Sequence, residues 1–202
     1  MNIKSIKEVS NRYKFWGTLE FSLFRILGIM RIWILHMDIF IFEINHNGHT
    51  NIVKGAIFRE LTDREHASTG KYPLRRSSEK EIIEHPDRSF GFIKDGEVIA
   101  TISVRFDQFD LPPYNLLEKF PNNQVYIYDV YVRPQYRRQG FGQELYRQTG
   151  VLMGKEGKSE LRIFIDHYNY ASRHCVKDIG GYKIKTFWIW KINRSGIRCR
   201  EK

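Results

Sequence analysis

The chain has 202 residues, of which 42% are hydrophobic, so it can bury a core and wholesale disorder is not expected. Its 33 Lys and Arg residues against 23 Asp and Glu residues give a formal net charge of +10. Such a charge favours anionic partners: nucleic acid, an anionic membrane surface or a phosphorylated cofactor. The two cysteines, Cys175 and Cys199, form no CxxC pair, which excludes a zinc framework and a disulfide scaffold and fits a reducing cytoplasmic location.

Residues 1–50 are predicted to form an N-terminal extension. Apolar residues recur at helical spacing over residues 15–30, which indicates an amphipathic helix. Charged residues interrupt this apolar run, so neither a signal peptide nor a transmembrane helix is expected. Two interpretations stay open: the helix packs on the main domain, or residues 1–35 make a peripheral contact with the inner face of a membrane. Residues 31–44 predict a strand.

The main domain is predicted over residues 51–192. Its predicted elements, in chain order, are a strand at 52–60, helices opened by the capping boxes at 62–65 and 78–81, strands at 90–94 and 97–105, an irregular or partly helical crossover at 107–123, a strand at 124–132, a helix at 140–155, a strand at 161–166, a helix at 169–179 and a strand at 182–192. Asp95-Gly96 predicts a type I′ turn. The sheet must be mixed, because the hairpin is antiparallel and strands joined through helices are parallel.

Residues 193–202 are predicted to be a basic, frayed tail. The linker at 45–49 contains two histidines, His46 and His49, without a third ligand nearby. We therefore predict no metal site.

The sequence predicts a strand that ends at Val132. A short basic loop follows, then a glycine pair, Gly140 and Gly142, at the start of a helix. A helix N-terminus exposes unpaired N–H groups and a partial positive charge, glycines let the backbone approach a phosphate, and Arg137 and Arg138 add charge. The pattern predicts a pyrophosphate cradle. A P-loop would need Gly-Lys-Ser/Thr, and a dinucleotide fingerprint would need a glycine at Leu145. The alternative is a tight turn whose glycines only permit a helix to start.

The stretch Val132-Arg133-Pro134-Gln135-Tyr136-Arg137-Arg138-Gln139-Gly140-Phe141-Gly142 resembles the acetyl-CoA-binding motif of the GNAT superfamily, commonly V-x-P-x-Y-R-x-x-G-x-G. The likeness covers residues 51–192 and is closest over 124–182. It implies an α/β (α+β) fold: a GNAT-like mixed, mostly antiparallel sheet with splayed central parallel strands flanked by helices. It also implies an acyl-CoA-dependent N-acyltransferase, which uses acetyl-CoA or another acyl-CoA, a primary amine acceptor and no metal.

The resemblance further implies which residues bind the cofactor. In that family the loop's backbone amides hold the CoA pyrophosphate, and the backbone of the preceding strand pairs with the pantetheine arm. A residue at the start of the next helix often contacts the cofactor as well. The matching positions are Val130, Tyr131, Val132, Arg137, Arg138, Gln139, Gly140, Phe141, Gly142 and Asn169.

Asp129 is the candidate general base. Acyl transfer to an amine requires one, because a lysine-like ammonium has a pKa of about 10. GNAT relatives often place an acidic residue on this strand, and strand alternation predicts that Asp129 shares a face with Val125, Ile127 and Tyr131. The alternative for Asp129 is a structural salt bridge or a water-linked carboxylate.

The departing thiolate needs a proton, and its donor is harder to identify. GNAT relatives often carry a tyrosine seven residues after the asparagine, where this chain has Val176. The neighbouring Cys175 is the candidate acid, although a lone cysteine on a helix is more often a core residue. The other candidates are Tyr170, Tyr182 and water. We expect His167 and His174 to be surface or packing residues.

Three alternative functions stay open. A basic nucleic-acid-binding module fits the charge, but the aromatic residues follow strand alternation and no RNP-type or zinc pattern is present, so nucleic acid is the less favoured partner. Val176, which stands where relatives often carry a tyrosine, fits a catalytically silent CoA-binding sensor. The N-terminal helix fits a long-chain acyltransferase. Acceptor specificity is predicted to lie in residues 62–89 and 107–123. Neither the acceptor nor the oligomeric state, such as a homodimer, follows from the sequence.

Overall fold

The computed structural model describes residues 23, 32–44, 53, 55–67, 88–106, 108–111, 116–192 and 195–201. The elements in chain order are β1 (Ile32–Glu43), β2 (Ile57–Glu60), α1 (Asp63–Ala67), β3 (Arg88–Lys94), β4 (Glu97–Arg105), β5 (Gln108–Leu111), β6 (Leu116–Lys119), β7 (Gln124–Val132), a 3-10 turn (Pro134–Tyr136), α2 (Phe141–Lys155), β8 (Glu160–Asp166), α3 (Tyr170–Asp178), β9 (Tyr182–Ile192) and β10 (Ser195–Glu201). Within this part of the chain the strands form a mixed sheet of eight strands and a separate ribbon of β5 and β6. The predicted fold class is confirmed.

The chain divides into two compact units. Unit 1 comprises Met1–Ile41, Asp110–Leu117 and Phe164–Lys202, and unit 2 comprises Phe42–Phe109 and Glu118–Ile163. Within unit 2 the strands follow the order β2-β3-β4-β7-β8, and neighbours are antiparallel except for β7 and the first half of β8, which are parallel. Within unit 1, β9 pairs antiparallel with β1 on one side and with β10 on the other.

Two local signals produce the predicted motifs. Asp95 and Gly96 have φ angles of 51° and 78°, which a type I′ turn between β3 and β4 requires. At the start of α1 the Thr62 N–H donates to Glu65 Oε2 at 3.0 Å, and the Glu65 N–H donates to Thr62 Oγ1 at 3.3 Å. This is the predicted capping box. Hydrogen bonds from Arg59 and from Thr62 lower the pKa of the Glu65 carboxyl to about 2.

Opposite faces of β3 carry different layers of unit 2. Helix α2 packs against β3, β4 and β7, and the rings of Phe92 and Phe141 meet edge to face with centroids 5.4 Å apart. Phe90 lies on the same face as Phe92, because alternate residues of a strand point the same way, and it is also buried. Gly91 points to the other face, where Leu61 approaches the position of a Cβ to within 2.8 Å. The segment around α1 therefore covers the face opposite to α2.

Three predicted segments differ from the structure. Strand β2 begins at Ile57 instead of residue 52. The segment 107–123 was expected to be irregular or partly helical, but it contains β5 and β6, because its adjacent prolines lie between these strands and leave the N–H groups on either side able to pair. The tail at 193–202 was expected to be frayed, but its residues 195–201 form β10, whose ladder with β9 satisfies the backbone groups.

Several predictions fall outside the described residues. These are the N-terminal helix, of which only Leu23 is described, the linker at 45–49 and the capping box at 78–81. The membrane contact through residues 1–35 and the domain limits 1–50, 51–192 and 193–202 stay predictions. Among the described residues, no helix combines the length and the apolar character that crossing a membrane would require.

We expect Gly91→Ala to lower the free energy of unfolding by about 1–3 kcal/mol. The added Cβ would lie 2.6 Å from the backbone oxygen of Ala100 and 2.8 Å from Leu61 Cδ1. Gly150→Ala is the matched control, because it lies inside α2 and its nearest contact would be Phe42 Cε1 at 3.4 Å. Alanine favours a helix by up to about 1 kcal/mol over glycine, so this variant should not be destabilised. Urea unfolding measures both, and an undiminished stability of Gly91→Ala would contradict the packing described.

Candidate functional site

Strand β7 leads directly into the candidate loop. It pairs antiparallel with β4 from Tyr126 to Val132, but its parallel register with β8 extends only from Gln124 to Ile127. The parallel register therefore stops about halfway along β7, and the antiparallel register continues to the end of the strand.

Strand β7 also contains one extra residue, Tyr128. Asp129 pairs with Ser103 and Ile127 pairs with Val104, so two steps along β7 correspond to one step along β4. A bulge of this kind shifts the side-chain alternation by one residue. The expectation that Asp129 shares a face with Ile127 is therefore wrong: Asp129 lies on the face of Ser103.

The loop between β7 and α2 contains two residues in left-handed conformations. Arg138 has a φ of 60° and Gly140, the N-cap of α2, has a φ of 89°. A Cβ on Gly140 would meet no atom within 4 Å, so its backbone angle, and not crowding, favours glycine there. For Arg138 the left-handed conformation costs about 1–2 kcal/mol. No side chain caps α2 among the described residues, so its N-terminus has the properties of an anion-binding site.

Side chains of the loop hold its shape. Arg137 Nε donates a hydrogen bond to the carbonyl of Val132 at 3.0 Å, and Gln139 Nε2 donates to the carbonyl of Gln135 at 2.9 Å. These bonds bind the loop to its own backbone, which reduces the freedom it would lose when a ligand binds. The loop is therefore preorganised.

Phe141 anchors the loop in the core of unit 2. Its side chain is 1% exposed, and its ring contacts Phe92 and also Tyr136, with a centroid distance of 6.0 Å to the latter. Only the backbone of Phe141 can therefore face a ligand. Lys94 Nζ lies 6.0 Å from the centroid of the Tyr136 ring and adds a positive charge beside the loop.

A row of polar residues crosses β3, β4 and β7 on the face opposite to α2. Ser89 pairs with Ser103, and Ser103 pairs with Asp129; we call these three residues the polar row. The hydroxyl oxygens of Ser89 and Ser103 are 2.9 Å apart, and His66 Nε2 of α1 lies 3.3 Å from Ser103 Oγ. Ser103 is fully buried, whereas Asp129 is half-buried. Sequence reasoning missed His66, because no local pattern connects α1 to β4.

Asp129 makes no ion pair with any residue that the structure describes. The structural salt bridge considered for it is therefore not observed within that part of the chain. A water-linked carboxylate stays open as the alternative to a base.

Two predicted site residues belong to unit 1, whereas the loop and Asp129 belong to unit 2. Asn169 is the N-cap of α3, where its side-chain oxygen accepts a hydrogen bond from the Ser172 N–H at 3.2 Å. Cys175 is half-buried and forms no disulfide with a residue that the structure describes. Its neighbour Val176, at the position of the expected tyrosine, is fully buried and supplies no proton donor.

A buried carboxylate in unit 1 was not anticipated. Asp38 on β1 is 0% exposed, and its Oδ2 lies 3.0 Å from His167 Nδ1 and 3.1 Å from Arg173 Nε. Thr186 Oγ1 donates to its Oδ1 at 2.5 Å. Burial opposes ionisation, but the hydrogen bonds from Thr186 and His167 outweigh it and hold the pKa of Asp38 below its ordinary value. A charged residue inside an apolar strand was the available signal, since such a residue needs partners.

His36 lies between two aromatic rings in the same unit. Its ring stacks on Trp188 and on His167 at centroid distances of 3.8 Å. It is 7% exposed, and its Nδ1 makes no hydrogen bond within the described part of the chain. Burial, reinforced by the nearby His167, lowers the pKa of His36 from 6.5 to about 4. His167, which was expected to be a surface or packing residue, therefore both packs and binds a carboxylate.

A cavity of about 350 Å³ lies along the second half of α2. Phe58, Arg88 and Leu152 are among its lining residues. Arg88 there forms ion pairs with Glu60 and Glu156, both at 2.8 Å. None of the predicted catalytic or cofactor-binding residues lines this cavity, although Arg88 belongs to the segment 62–89 that was predicted to carry acceptor specificity.

We expect stability to fall by about 3 kcal/mol as the pH is lowered from 6.5 to 4 because of His36. The unfolded chain binds a proton on this residue near pH 6.5 and the folded chain only near pH 4, so unfolding takes up a proton in this window. His36→Gln should make the free energy of unfolding depend less on pH in this window. His174→Gln should leave the pH dependence unchanged, because the His174 side chain is 80% exposed. Urea unfolding at several pH values measures it. Equal slopes for the wild type and His36→Gln would refute this explanation.

The known proteins that this chain resembles include acetyltransferases. The sequence profile described as "Acetyltransferase (GNAT) family" matches residues 56–180. Bovine thialysine N-epsilon-acetyltransferase is 28% identical over 78 residues, which are 38% of this chain and 46% of that protein. The chain thus spans about half the length of the curated relatives it matches.

Solved structures of low identity show the same fold. A GCN5-related N-acetyltransferase from Sphaerobacter thermophilus has a TM-score of 0.54 at 12% identity and covers 87% of this chain and 57% of its own. A GNAT-family acetyltransferase described as putative, from Novosphingobium aromaticivorans, has a TM-score of 0.50 at 13% identity, with coverages of 77% and 62%. At these identities the likeness concerns the fold alone.

Proposed function

Because the chain belongs to the acetyltransferase (GNAT) family, we propose that it is an acyl-CoA-dependent N-acyltransferase that transfers an acetyl group from acetyl-CoA to a primary amine by direct attack. The observation that carries the proposal is the start of α2, which no described side chain caps and which follows a basic, preorganised loop. Backbone N–H groups at such a helix end suit a pyrophosphate.

Residues of unit 2 have distinct roles in this proposal. The backbone of Arg137–Gly142 binds the pyrophosphate, and the Arg138 side chain adds charge. The segment Val130–Val132 lies beyond the end of the parallel register, so its backbone is assigned to the amide groups of the pantetheine arm. Acetyl-CoA itself supplies an acyl group activated as a thioester. Asn169, in unit 1, is assigned to the cofactor through its place at the start of α3.

Asp129 is assigned as the general base. The acceptor must lose a proton before its nitrogen attacks the acyl carbon, because an alkylammonium has a pKa of about 10. Asp129 is a half-buried carboxylate, placed three residues before Val132 on the face of the polar row. When the new C–N bond forms and the C–S bond breaks, the thiolate takes a proton. Cys175 or water is assigned to this step, because the buried Val176 cannot donate one.

A catalytically silent CoA-binding sensor is the second candidate. The observation that favours it is Val176, whose apolar side chain is fully buried at the position of the expected acid. A sensor would bind acetyl-CoA without turnover. An assay with a panel of amines separates the two functions: L-lysine, thialysine, spermidine and a lysine-containing peptide. Thialysine is included because curated relatives are named for it. The cytoplasmic location, the membrane contact and a homodimer stay predictions.

Acetyl-CoA is expected to raise the melting temperature of the wild-type protein and not that of Gly142→Glu. A ligand that binds only the folded state stabilises it by about 2.7 kcal/mol at one hundred times its Kd. The introduced carboxylate would place a negative charge at the helix end that holds the anion. Lys155→Glu is the control. It lies at the other end of α2 and changes the net charge of the protein more than Gly142→Glu does, but acetyl-CoA should still raise its melting temperature. If acetyl-CoA shifts neither the wild type nor Lys155→Glu, the cradle assignment is wrong.

Asp129→Asn is expected to lower kcat by about 10²–10⁴-fold, because an amide cannot accept the proton. The KM for acetyl-CoA should change little, since Asp129 does not belong to the cradle. Asp95→Asn is the control, because asparagine also tolerates the left-handed conformation of the hairpin turn. Steady-state kinetics with the best amine of the panel measures both. A kcat of Asp129→Asn close to the wild-type value would exclude it as the base.

A further inference from the structure

We propose that His66 takes up the acceptor's proton from Asp129. It acts through Ser103 and does not touch the acceptor, so it is a positioning residue. The inference deepens the proposed acyl transfer and rests on it. It assigns a role to a histidine that lies outside the GNAT-like motif and on a separate element, α1.

Ser103 has the contact that connects a proton relay to α1. A hydroxyl group donates one hydrogen bond and accepts two. Ser103 Oγ lies 3.3 Å from His66 Nε2 and 2.9 Å from Ser89 Oγ. If Ser103 donates to His66, the imidazole carries its own proton on Nδ1, and Ser103 keeps its acceptor positions for the polar row.

Asp129 is the neighbour of Ser103 across the ladder of β4 and β7. Residues paired in this way have Cβ atoms about 4.5–5.5 Å apart, so a protonated Asp129 carboxyl can reach the serine hydroxyl by side-chain rotation. The bulge at Tyr128 produces this juxtaposition, since without the extra residue Asp129 would point to the opposite face.

Ser103 shields the middle of the relay from solvent. It is 0% exposed, so a proton that moves from Asp129 towards α1 along the polar row passes through the serine hydroxyl. His66 is only half-buried and can exchange its proton with water. The polar row faces α1, whereas α2, whose N-terminus forms the cradle, packs on the opposite face. The acceptor and the pyrophosphate therefore approach β7 from different faces.

The proton balance of the step is closed. The ammonium gives a proton to the Asp129 carboxylate and becomes a neutral amine. The Asp129 acid then gives its proton to Ser103 Oγ while the original Ser103 proton moves to His66 Nε2. Asp129 is again ionised, Ser103 is again neutral, and the His66 imidazolium releases the proton to water. Only N–H and O–H bonds change, and no electron is transferred.

The test compares amines in two charge states. Steady-state kinetics is measured with the fastest alkylammonium acceptor of the panel and with methoxyamine, which is uncharged at neutral pH. His66→Gln and Ser103→Ala should lower kcat at least about tenfold with the alkylammonium. With methoxyamine their kcat should stay within about twofold of the wild type, because no proton has to be removed before attack. A structural defect would lower both rates alike.

Ser89→Ala is the matched control for Ser103→Ala. Each variant removes one hydroxyl and the same Ser89–Ser103 hydrogen bond, but only Ser103→Ala interrupts the path from Asp129 to His66. Ser89→Ala should therefore keep the alkylammonium rate. The relay would be overturned if Ser89→Ala and Ser103→Ala lowered kcat equally. It would also be overturned if a variant lowered kcat equally with the alkylammonium and with methoxyamine.

Failure of the proposed function has a different signature. It would appear as the absence of both an acetyl-CoA thermal shift and acetyl transfer in the wild type. A wild type that acetylates the alkylammonium while His66→Gln retains full activity would overturn the relay alone. A wild type that acetylates the alkylammonium but not methoxyamine would also count against it, since a site whose base only removes a proton accepts a neutral amine.

Discussion

The pairing of β4 with β7 is the constraint on which the candidate site depends. One extra residue, Tyr128, shifts the side-chain alternation of β7 partway along the ladder. Asp129 consequently joins the buried Ser103, and the parallel register with β8 ends at Ile127, the residue before Tyr128. A single extra residue thus determines the face on which the candidate base lies, and it directly follows the last residue of β7 in the parallel register.

The loop that follows β7 contains a strained residue, Arg138, and the contacts that hold it in place. Arg138 occupies an unfavourable backbone conformation, which persists only where surrounding contacts determine it. The hydrogen bonds of Arg137 and Gln139 to loop carbonyls and the burial of Phe141 supply those contacts. The helix end is therefore exposed to a ligand, whereas the side chains beside it stabilise the protein.

Features encoded by neighbouring residues could be predicted from the sequence. The Asp95-Gly96 turn, the Thr62–Glu65 capping box and the loop before α2 all depend on groups a few residues apart. Features that require partners distant in the chain could not. The bulge at Tyr128 appears only in register with β4, and the contact of His66 with Ser103 joins two separate elements. The carboxylate of Asp38 has its partners on β9 and around α3.

The pairing of β1 with β9 has a consequence for how the chain acquires its structure. Ile32 pairs with Ile192, so strands from opposite ends of the sequence form one ladder. Contacts of such long sequence separation form slowly, because a large loop must close before they contribute any stability. During synthesis on the ribosome, this ladder cannot form until β9 has been made, and the apolar residues of β1 need protection throughout that interval. Unit 2, which does not depend on this ladder, can acquire its own pairing before translation is complete.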